Sequence, residues 1–348
     1  MASWWVGFLG ESELKLLVTG GLGFIGSNFV VKAILDRGIQ ILNIDAKTYA
    51  ADKRNVDEVR GTELYSEIIG DIRDSDLLRT ALSEFRPDVV VNFAAESHVD
   101  RSINGPADFV TTNVNGTFEL LEAARDYWLN VMDQNNNFRF FHVSTDEVYG
   151  ALAPEEPAFT ELNRYEPSSP YSATKAASDH LVRAYGRTYG LPYLISNCSN
   201  NYGRKQNLEK LIPTVISNML RGQKVPIYGD GKQVRDWIHV SDHCDAILHI
   251  IEKADPFDTF NVGGRHEVTN LEIVNSIYKS LSEQIDGFSN QKLKSLIKHV
   301  PDRLGHDRRY AIDNSKIQSE LGWEPKIIFS KGIDDTVAWY ARRLLSGN

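Results

Sequence analysis

Cysteine is nearly absent from this chain. Cys198 and Cys244 are the only two among 348 residues, and their spacing fits neither a disulfide framework nor a thiolate metal site. This excludes a small disulfide-stapled fold and points to a reducing cytoplasmic compartment. Excess positive charge is missing too: 38 Lys and Arg stand against 47 Asp and Glu, a net charge of −9. Sequence-independent nucleic-acid binding needs a basic face and is excluded as a class. A small anionic ligand needs only a few local cations and stays open. No apolar run approaches the ~20 residues that cross a bilayer, so no membrane-spanning segment is expected. Residues 1–13 contain Trp4 and Trp5 but lack the basic start and long apolar core of a signal peptide, and read as an extension. Internal repeats are absent, and the only short polar tract is Asp133–Asn137. What remains is an ordinary globular composition, 42% hydrophobic and 24% charged, in a chain long enough for two lobes.

Against these absences, the first positive signal is a run of glycines. Lys15–Thr19 is a short apolar strand that runs into Gly20-Gly21-Leu22-Gly23-Phe24-Ile25-Gly26. A helical pattern follows to Arg37 and stops at Gly38; Ile39–Asp45 reads as the next strand. Glycines at a strand-to-helix turn are the context of the dinucleotide fingerprint. The missing side chains admit a pyrophosphate, and the helix N-terminus offers N–H groups and a positive dipole end. Asp45 closes the second strand, where a carboxylate can accept both ribose hydroxyls. That favours NAD over NADP, although Lys47 lies nearby.

The alternation continues. Strands are expected around Leu64–Ile72, Pro87–Ala95 and Phe138–Thr145. Helices are expected over Ser75–Phe85 and over Ala107–Trp128, the latter one long amphipathic segment with Val110, Val114, Phe118, Leu121 and Ala124 on one side. Repeated β-α units predict an α/β, Rossmann-type doubly wound parallel sheet, with ligands beyond the C-terminal strand ends. Asp71-Ile72, Ala94–Ser97 and Thr145-Asp146-Glu147 all fall at such ends. Adjacent carboxylates are a poor choice for stability. They suit chemistry if one keeps its proton and the other ionises; a solvated acidic turn is the plainer alternative. Pro170 opens the next helix, on which Tyr171 and Lys175 are four residues apart and share a face. An ammonium beside the phenol is expected to lower its pKa and make it a base.

After Cys198 the pattern changes. Asn200–Gly203, Lys210–Gly222, Val225–Gly229, Arg235-Asp236-Trp237 and the basic stretch 292–312 suggest a smaller α/β lobe for a diphosphate and a base, with Arg308-Arg309 either in it or plain surface charge. The expected division is 14–199 for the dinucleotide domain, with 236–265 returning to it, and 200–235 plus 266–348 for the substrate lobe. His239, Asp242 and His243 lack the further ligands of a metal site, and none is expected.

These residues together resemble the extended short-chain dehydrogenase/reductases, and within them the nucleotide-sugar 4,6-dehydratases. The resemblance runs from about Lys15 to Tyr340. Its motifs are Thr19–Ser27, Gly70-Asp-Ile72, Ala94–Ser102, Ser144–Gly150, Tyr171-Ser-Ala-Thr-Lys175, Asn197–Gly203 and Arg235-Asp-Trp237. The Thr-Asp-Glu triplet is the specific one; the related 4-epimerases lack the acidic pair. The resemblance implies that Tyr171 takes the C4 hydroxyl proton while NAD takes the C4 hydride, with Lys175 tuning the phenol. It implies that Glu147 removes the C5 proton, that Asp146 protonates the departing C6 hydroxyl, and that Thr145 polarises the 4-keto group. Cofactor positions implied are Gly20, Gly23, Phe24, Ile25, Gly26, Asp45, Asp71, Ile72, Phe93, Ala94, Ala95, Ser97, Thr112, Tyr171, Lys175 and Asn201. Substrate positions implied are Ser97, Thr145, Asn200, Lys210, Leu211, Pro226, Tyr228, Arg235, Asn270, Arg303 and His306.

The implied substrate is a nucleoside-diphosphate glucose, dTDP-glucose first and UDP-glucose second, and the implied assembly a homodimer through the helices at 107–128 and 171–189. Other readings are a 4-epimerase and a binding protein with an inactive dinucleotide fold. Two departures stand out. Arg204-Lys-Gln-Asn-Leu-Glu-Lys210 replaces a Pro followed by an aromatic-Pro pair before Glu-Lys, and Leu304 replaces a Pro.

Overall fold

The central strands of the large sheet are apolar on both faces because helices cover both. A computed structural model describes residues 14–134, 137–286, 288 and 293–346. The extension expected at 1–13 and the middle of the polar loop at 133–137 lie outside the described residues. The first half of the chain comprises β1 (Lys15–Thr19), α1 (Phe24–Arg37), β2 (Gln40–Asp45), β3 (Tyr65–Ile69), α2 (Ser75–Phe85), β4 (Val89–Asn92), α3 (Val99–Asn104), α4 (Pro106–Phe109), α5 (Thr117–Asn130), β5 (Arg139–Thr145), α6 (Pro170–Tyr189) and β6 (Tyr193–Cys198). With β10 (below) they build a seven-stranded parallel sheet in the order β10-β6-β5-β4-β1-β2-β3. Alternate residues feed two apolar layers. Leu16, Val18, Val89, Val91 and Phe141 pack on the α1 side, while Leu17, Val90, Phe140 and Ile195 pack under α2, α5 and α6. The order of connection reverses between β1 and β4, so the crevice for a ligand opens there.

The rest comprises β7 (Asn200–Tyr202), α7 (Leu211–Leu220), β8 (Val225–Tyr228), β9 (Val234–His239), α8 (Val240–Lys253), β10 (Asp258–Val262), β11 (Glu267–Thr269), α9 (Asn270–Gln284), α10 (Leu293–Leu296), β12 (Ile297–Val300), β13 (Arg309–Tyr310), α11 (Ser315–Leu321) and α12 (Phe329–Leu345). A small sheet places β9 against β11, β13 and β7, and β8 pairs with β12. Ile212, Ile216, Ile273, Ile277, Ile333 and Val337 bind α7, α9 and α12 into a separate core. Residues 236–239 therefore belong to the small sheet, and the return to the large one begins with α8. The reason is local: Asp236 accepts the N–H groups of Gly264 (2.8 Å) and His266 (2.6 Å), which ties β9 to the segment leading into β11.

The single helix expected over 107–128 is not found. α4 passes into a π-helical stretch, Val110–Gly116, before α5 begins. The wider turn breaks the expected stripe: Leu121 and Ala124 are buried, while Val110 and Phe118 are exposed. Asn113, turned inward, bonds Glu96 through both backbone groups and reaches Thr174 on α6. His239, Asp242 and His243 carry structural roles, His239 by accepting the Ser241 N–H at 3.2 Å. His243 pairs with Asn201 Oδ1, and Asp242 accepts the N–H groups of Lys326 and Ile327.

Candidate active site

The dinucleotide turn is held by packing that only glycine permits. A Cβ on Gly26 would lie 2.3 Å from the Gly20 carbonyl oxygen, and Gly20 itself has φ 73° with Ala94 at its back. α1 starts at this point, so the unpaired N–H groups of its first turn open into the crevice. Asp45 accepts the Leu22 N–H (2.9 Å) and the Lys47 N–H (2.7 Å), which fixes its carboxylate at the end of β2. Burial pushes this carboxyl up while those two N–H groups pull it back. One cavity of about 420 Å³ runs from these residues to the end of β5. Every position expected to bind the dinucleotide lines it: Gly20, Gly23 to Gly26, Asp45, Asp71, Ile72, Phe93 to Ala95, Ser97, Thr112, Tyr171, Lys175 and Asn201. A polar cradle at a helix N-terminus with a carboxylate at the neighbouring strand end fits NAD. Asp71 is also engaged by Arg73 through two hydrogen bonds, at 2.9 and 2.7 Å.

The far end of the cavity holds Thr145, Asp146, Glu147, Tyr171 and Lys175. β5 ends at Thr145, whose extended backbone starts a 3-10 turn over Asp146–Tyr149, and so both carboxylates face the cleft region rather than solvent. The solvated-turn alternative fails, because Asp146 is only 1% exposed. Burial raises Asp146 well above the usual carboxylate range, and the neighbouring Glu147 and Asp236 add to it. Its Oδ2 is buried without a hydrogen-bond partner among the described residues, as a proton donor awaiting an acceptor would be. Burial also raises Glu147, and Arg303, Arg235 and Lys210 offset that rise only in part. The two adjacent acids are thus driven apart by their surroundings.

α6 is fixed at its start by Pro170 and by the reciprocal Ser169–Ser172 capping box, and it presents Tyr171 and Lys175. The expected lowering of the Tyr171 phenol is not observed. Burial, then Glu147 and Cys198, raises it, and only a Thr145 hydrogen bond opposes them among the leading influences. Lys175 is aimed elsewhere: its Nζ donates to the Val143 carbonyl at 2.9 Å and lies 3.2 Å from His142 Nε2.

The substrate positions divide into two groups. Ser97, Thr145, Asn200 and Lys210 line the same cavity, and Lys210 donates to the Ser97 carbonyl at 2.8 Å. Leu211, Pro226, Tyr228, Arg235, Asn270, Arg303 and His306 lie outside its lining, on the small lobe. There Tyr228 bonds Asp100 (3.1 Å), Arg303 lies 3.6 Å from the same carboxylate, and the His306 ring meets Tyr228 edge-on. Arg235 is buried on the face of Tyr310. Arg308 and Arg309 do not join them, since they pair with Asp230 and Glu267 on the surface.

A family model described as GDP-mannose 4,6 dehydratase matches residues 17–336. A dTDP-glucose 4,6-dehydratase of Xanthomonas campestris is 54% identical over 325 residues, covering 93% of this chain and 92% of that one. The chain belongs to the dTDP-glucose 4,6-dehydratase family. The structure of a family member from Streptomyces venezuelae, solved with NAD bound, superposes with a TM-score of 0.86 at 42% identity, over 95% of this chain and 98% of that one. A UDP-glucose 4-epimerase of Thermotoga maritima shares the fold, with a TM-score of 0.82 over 95% of this chain and all of its own, at 28% identity.

Where the chain departs from the family pattern, 204–210 forms a strap across the cleft mouth. Lys205 Nζ bonds the Asn55 carbonyl (2.8 Å) and Glu58, and Asn207 bonds the Tyr49 carbonyl (3.4 Å). On the opposite wall Glu209 pairs with Arg101 (3.1 Å), whose guanidinium lies 3.7 Å over the Tyr49 ring. The Tyr340 hydroxyl anchors the strap from behind through the Gln206 carbonyl. Leu304, the second departure, is exposed.

Sequence reasoning passed over His142, Asp179, Asn113 and Cys198. His142 had a signal: one imidazole in an otherwise apolar buried strand. Asn113 and Asp179 sat in helical patterns where a polar residue reads as surface. Cys198 lines the cavity, and burial pushes its thiol up to about 12, so it stays neutral.

Proposed function

We propose that this protein removes water from dTDP-glucose, giving the 4-keto-6-deoxy sugar nucleotide as a hydro-lyase that uses NAD and leaves it unchanged overall. The observation that carries the reading is the acid pair at the end of β5, where Asp146 is buried with a free carboxyl oxygen beside a Glu147 whose rise by burial three cations partly offset. An epimerase needs no such pair.

NAD held by Gly20, Asp45 and the other residues lining the crevice would supply the hydride acceptor for C4 and the hydride donor for C6. Tyr171 accepts the C4 hydroxyl proton, and Lys175, which lines the same cavity but donates away from the phenol, adds its positive charge to the site. Thr145 donates to the C4 oxygen and polarises the ketone. The ketone acidifies C5–H, and Glu147 removes that proton because its cationic neighbours leave it the more ionised of the two acids. Asp146 gives its proton to the C6 hydroxyl, which leaves as water, and Glu147 returns a proton to C5. Arg235, Arg303 and Lys210 offer the positive charge that a diphosphate requires.

The free, buried state of both cysteines supports a cytoplasmic enzyme. Exposed Val110 and Phe118 beside α5 support a homodimer that covers them, to be checked by solution mass. Product mass after incubation with dTDP-, UDP- and GDP-glucose tests the whole reading. Loss of one water from dTDP-glucose is expected; an isomer of unchanged mass would establish epimerisation instead. Glu147→Gln should accumulate reduced nicotinamide without releasing product.

A further inference from the structure

Behind Lys175 lies a cluster of buried polar groups for which the reaction above has no use. His142 on β5 and Asp179 on α6 are both fully buried, and neither lines the cleft. His142 Nε2 lies 3.2 Å from Lys175 Nζ and 3.5 Å from Asp179 Oδ1. The other oxygen of Asp179 accepts from Ser144 Oγ (2.9 Å), Tyr165 OH (3.0 Å) and Asn197 Nδ2 (3.3 Å). Burial raises this carboxyl, while Lys175, Arg183 and the Ser144 and Tyr165 hydroxyls pull it back towards the ionised form that three converging donors suit. Its remaining oxygen, Oδ1, has no hydrogen-bond partner among the described residues and faces the imidazole.

A buried charge is kept only when something nearby compensates it. Lys175 is 4% exposed, and burial lowers its affinity for a proton while Asp179 is the largest influence restoring it. His142 cannot share the charge, since burial, Lys175 and Arg183 all hold it neutral. We infer that Asp179 is a positioning residue, the counter-charge that keeps Lys175 an ammonium, with the neutral His142 as the spacer that aims it. Lys175 donates to the Val143 carbonyl and lies against His142 Nε2, and the Asn92 amide holds the ring from its other side at Nδ1 (3.2 Å). Arg183 from α6 faces the cluster as well, and Cys198, kept neutral by burial, lies beside it on β6. Asp146 and Glu147 approach from the turn after β5.

This inference rests on the proposed dehydratase cycle only for its kinetic readout. In the NAD-loaded protein, the rate of nicotinamide reduction on mixing with dTDP-glucose is followed against pH. Asp179→Asn removes the counter-charge, so Lys175 loses its proton sooner and the alkaline limb moves down by about one pH unit. Asp179→Glu restores the limb towards its original position, which a packing defect would not allow. The Lys175 midpoint is also read directly, by NMR of lysines labelled at Cε with Lys175→Met as the assignment control. That measurement stands even if no sugar nucleotide is turned over. A second variant, Ser144→Ala with Tyr165→Phe, strips two donors from Asp179 and lowers the same midpoint by less; it serves if Asn at 179 does not fold. An unmoved Lys175 midpoint in the folded variants overturns the inference.

Discussion

The floor and the mouth of the cleft are built from the same residue types and obey different rules. On the floor, Asp146, Lys175, His142 and Asp179 are buried, and each group's charge is set first by that burial and then by its neighbours. At the mouth, Arg101 with Glu209 and Lys205 with Glu58 are ion pairs that reach solvent. Buried pairs set protonation and cannot be relaxed cheaply, whereas screened pairs contribute little and can open and close. The difference teaches where this molecule keeps its chemistry and where it keeps its freedom of movement.

The comparison is broken most severely at Asp146. Asparagine there should cut turnover by about 10²- to 10⁴-fold, the contribution of a positioned acid, when product formation is followed. The same change should stabilise the fold at neutral pH. A carboxyl raised in the folded state binds its proton more tightly there than in the unfolded chain. Its ionisation therefore costs stability above the folded pKa, and the cost fades as pH falls through it. Melting curves should show a gain for Asp146→Asn of about 1 kcal/mol or more at neutral pH, shrinking towards acid. A gain that held steady across pH would break the assignment of a raised carboxyl.

A substitution at the turn should have the next largest effect. Gly26→Ala sets a Cβ against the Gly20–Gly21 backbone, with no flexible side chain able to yield. The expected cost is about 1–3 kcal/mol, together with weak NAD retention, read as melting temperature and as cofactor content after purification. At the mouth, Arg101→Ala should change stability by less than about 1 kcal/mol. Its mark is kinetic: NAD release becomes faster and loses its dependence on salt, as a stopped-flow exchange with a fluorescent analogue would show. If Arg101→Ala matched Asp146→Asn in severity, the division between floor and mouth would be wrong.

The sheet was legible in the sequence because its central strands are apolar on both faces and its turns carry glycine, features that depend on nearest neighbours alone. The acid pair, Tyr171 and Lys175 were legible as residue types at strand and helix starts. What escaped depends on packing in three dimensions. The π-helical turn at Val110–Gly116 leaves no trace in a 3.6-residue pattern that remains amphipathic on paper. The direction of Lys175, towards Val143 and His142, follows from the register of α6 against β5, and no spacing along the chain encodes it. The small sheet claimed β9 because Asp236 is bound by residues that follow it by about thirty positions.

α6 carries Tyr171, Lys175 and Asp179 at four-residue intervals along a helix of 20 residues. Each residue of an α-helix turns the next by about 100° and advances it by about 1.5 Å. Adding or removing a single residue between 171 and 179 would swing one of the three away from the others. That span can therefore change by substitution across its lineage but scarcely by insertion or deletion. The strap at 204–210 has no such indexing, and its length and composition are where relatives of this enzyme are free to diverge.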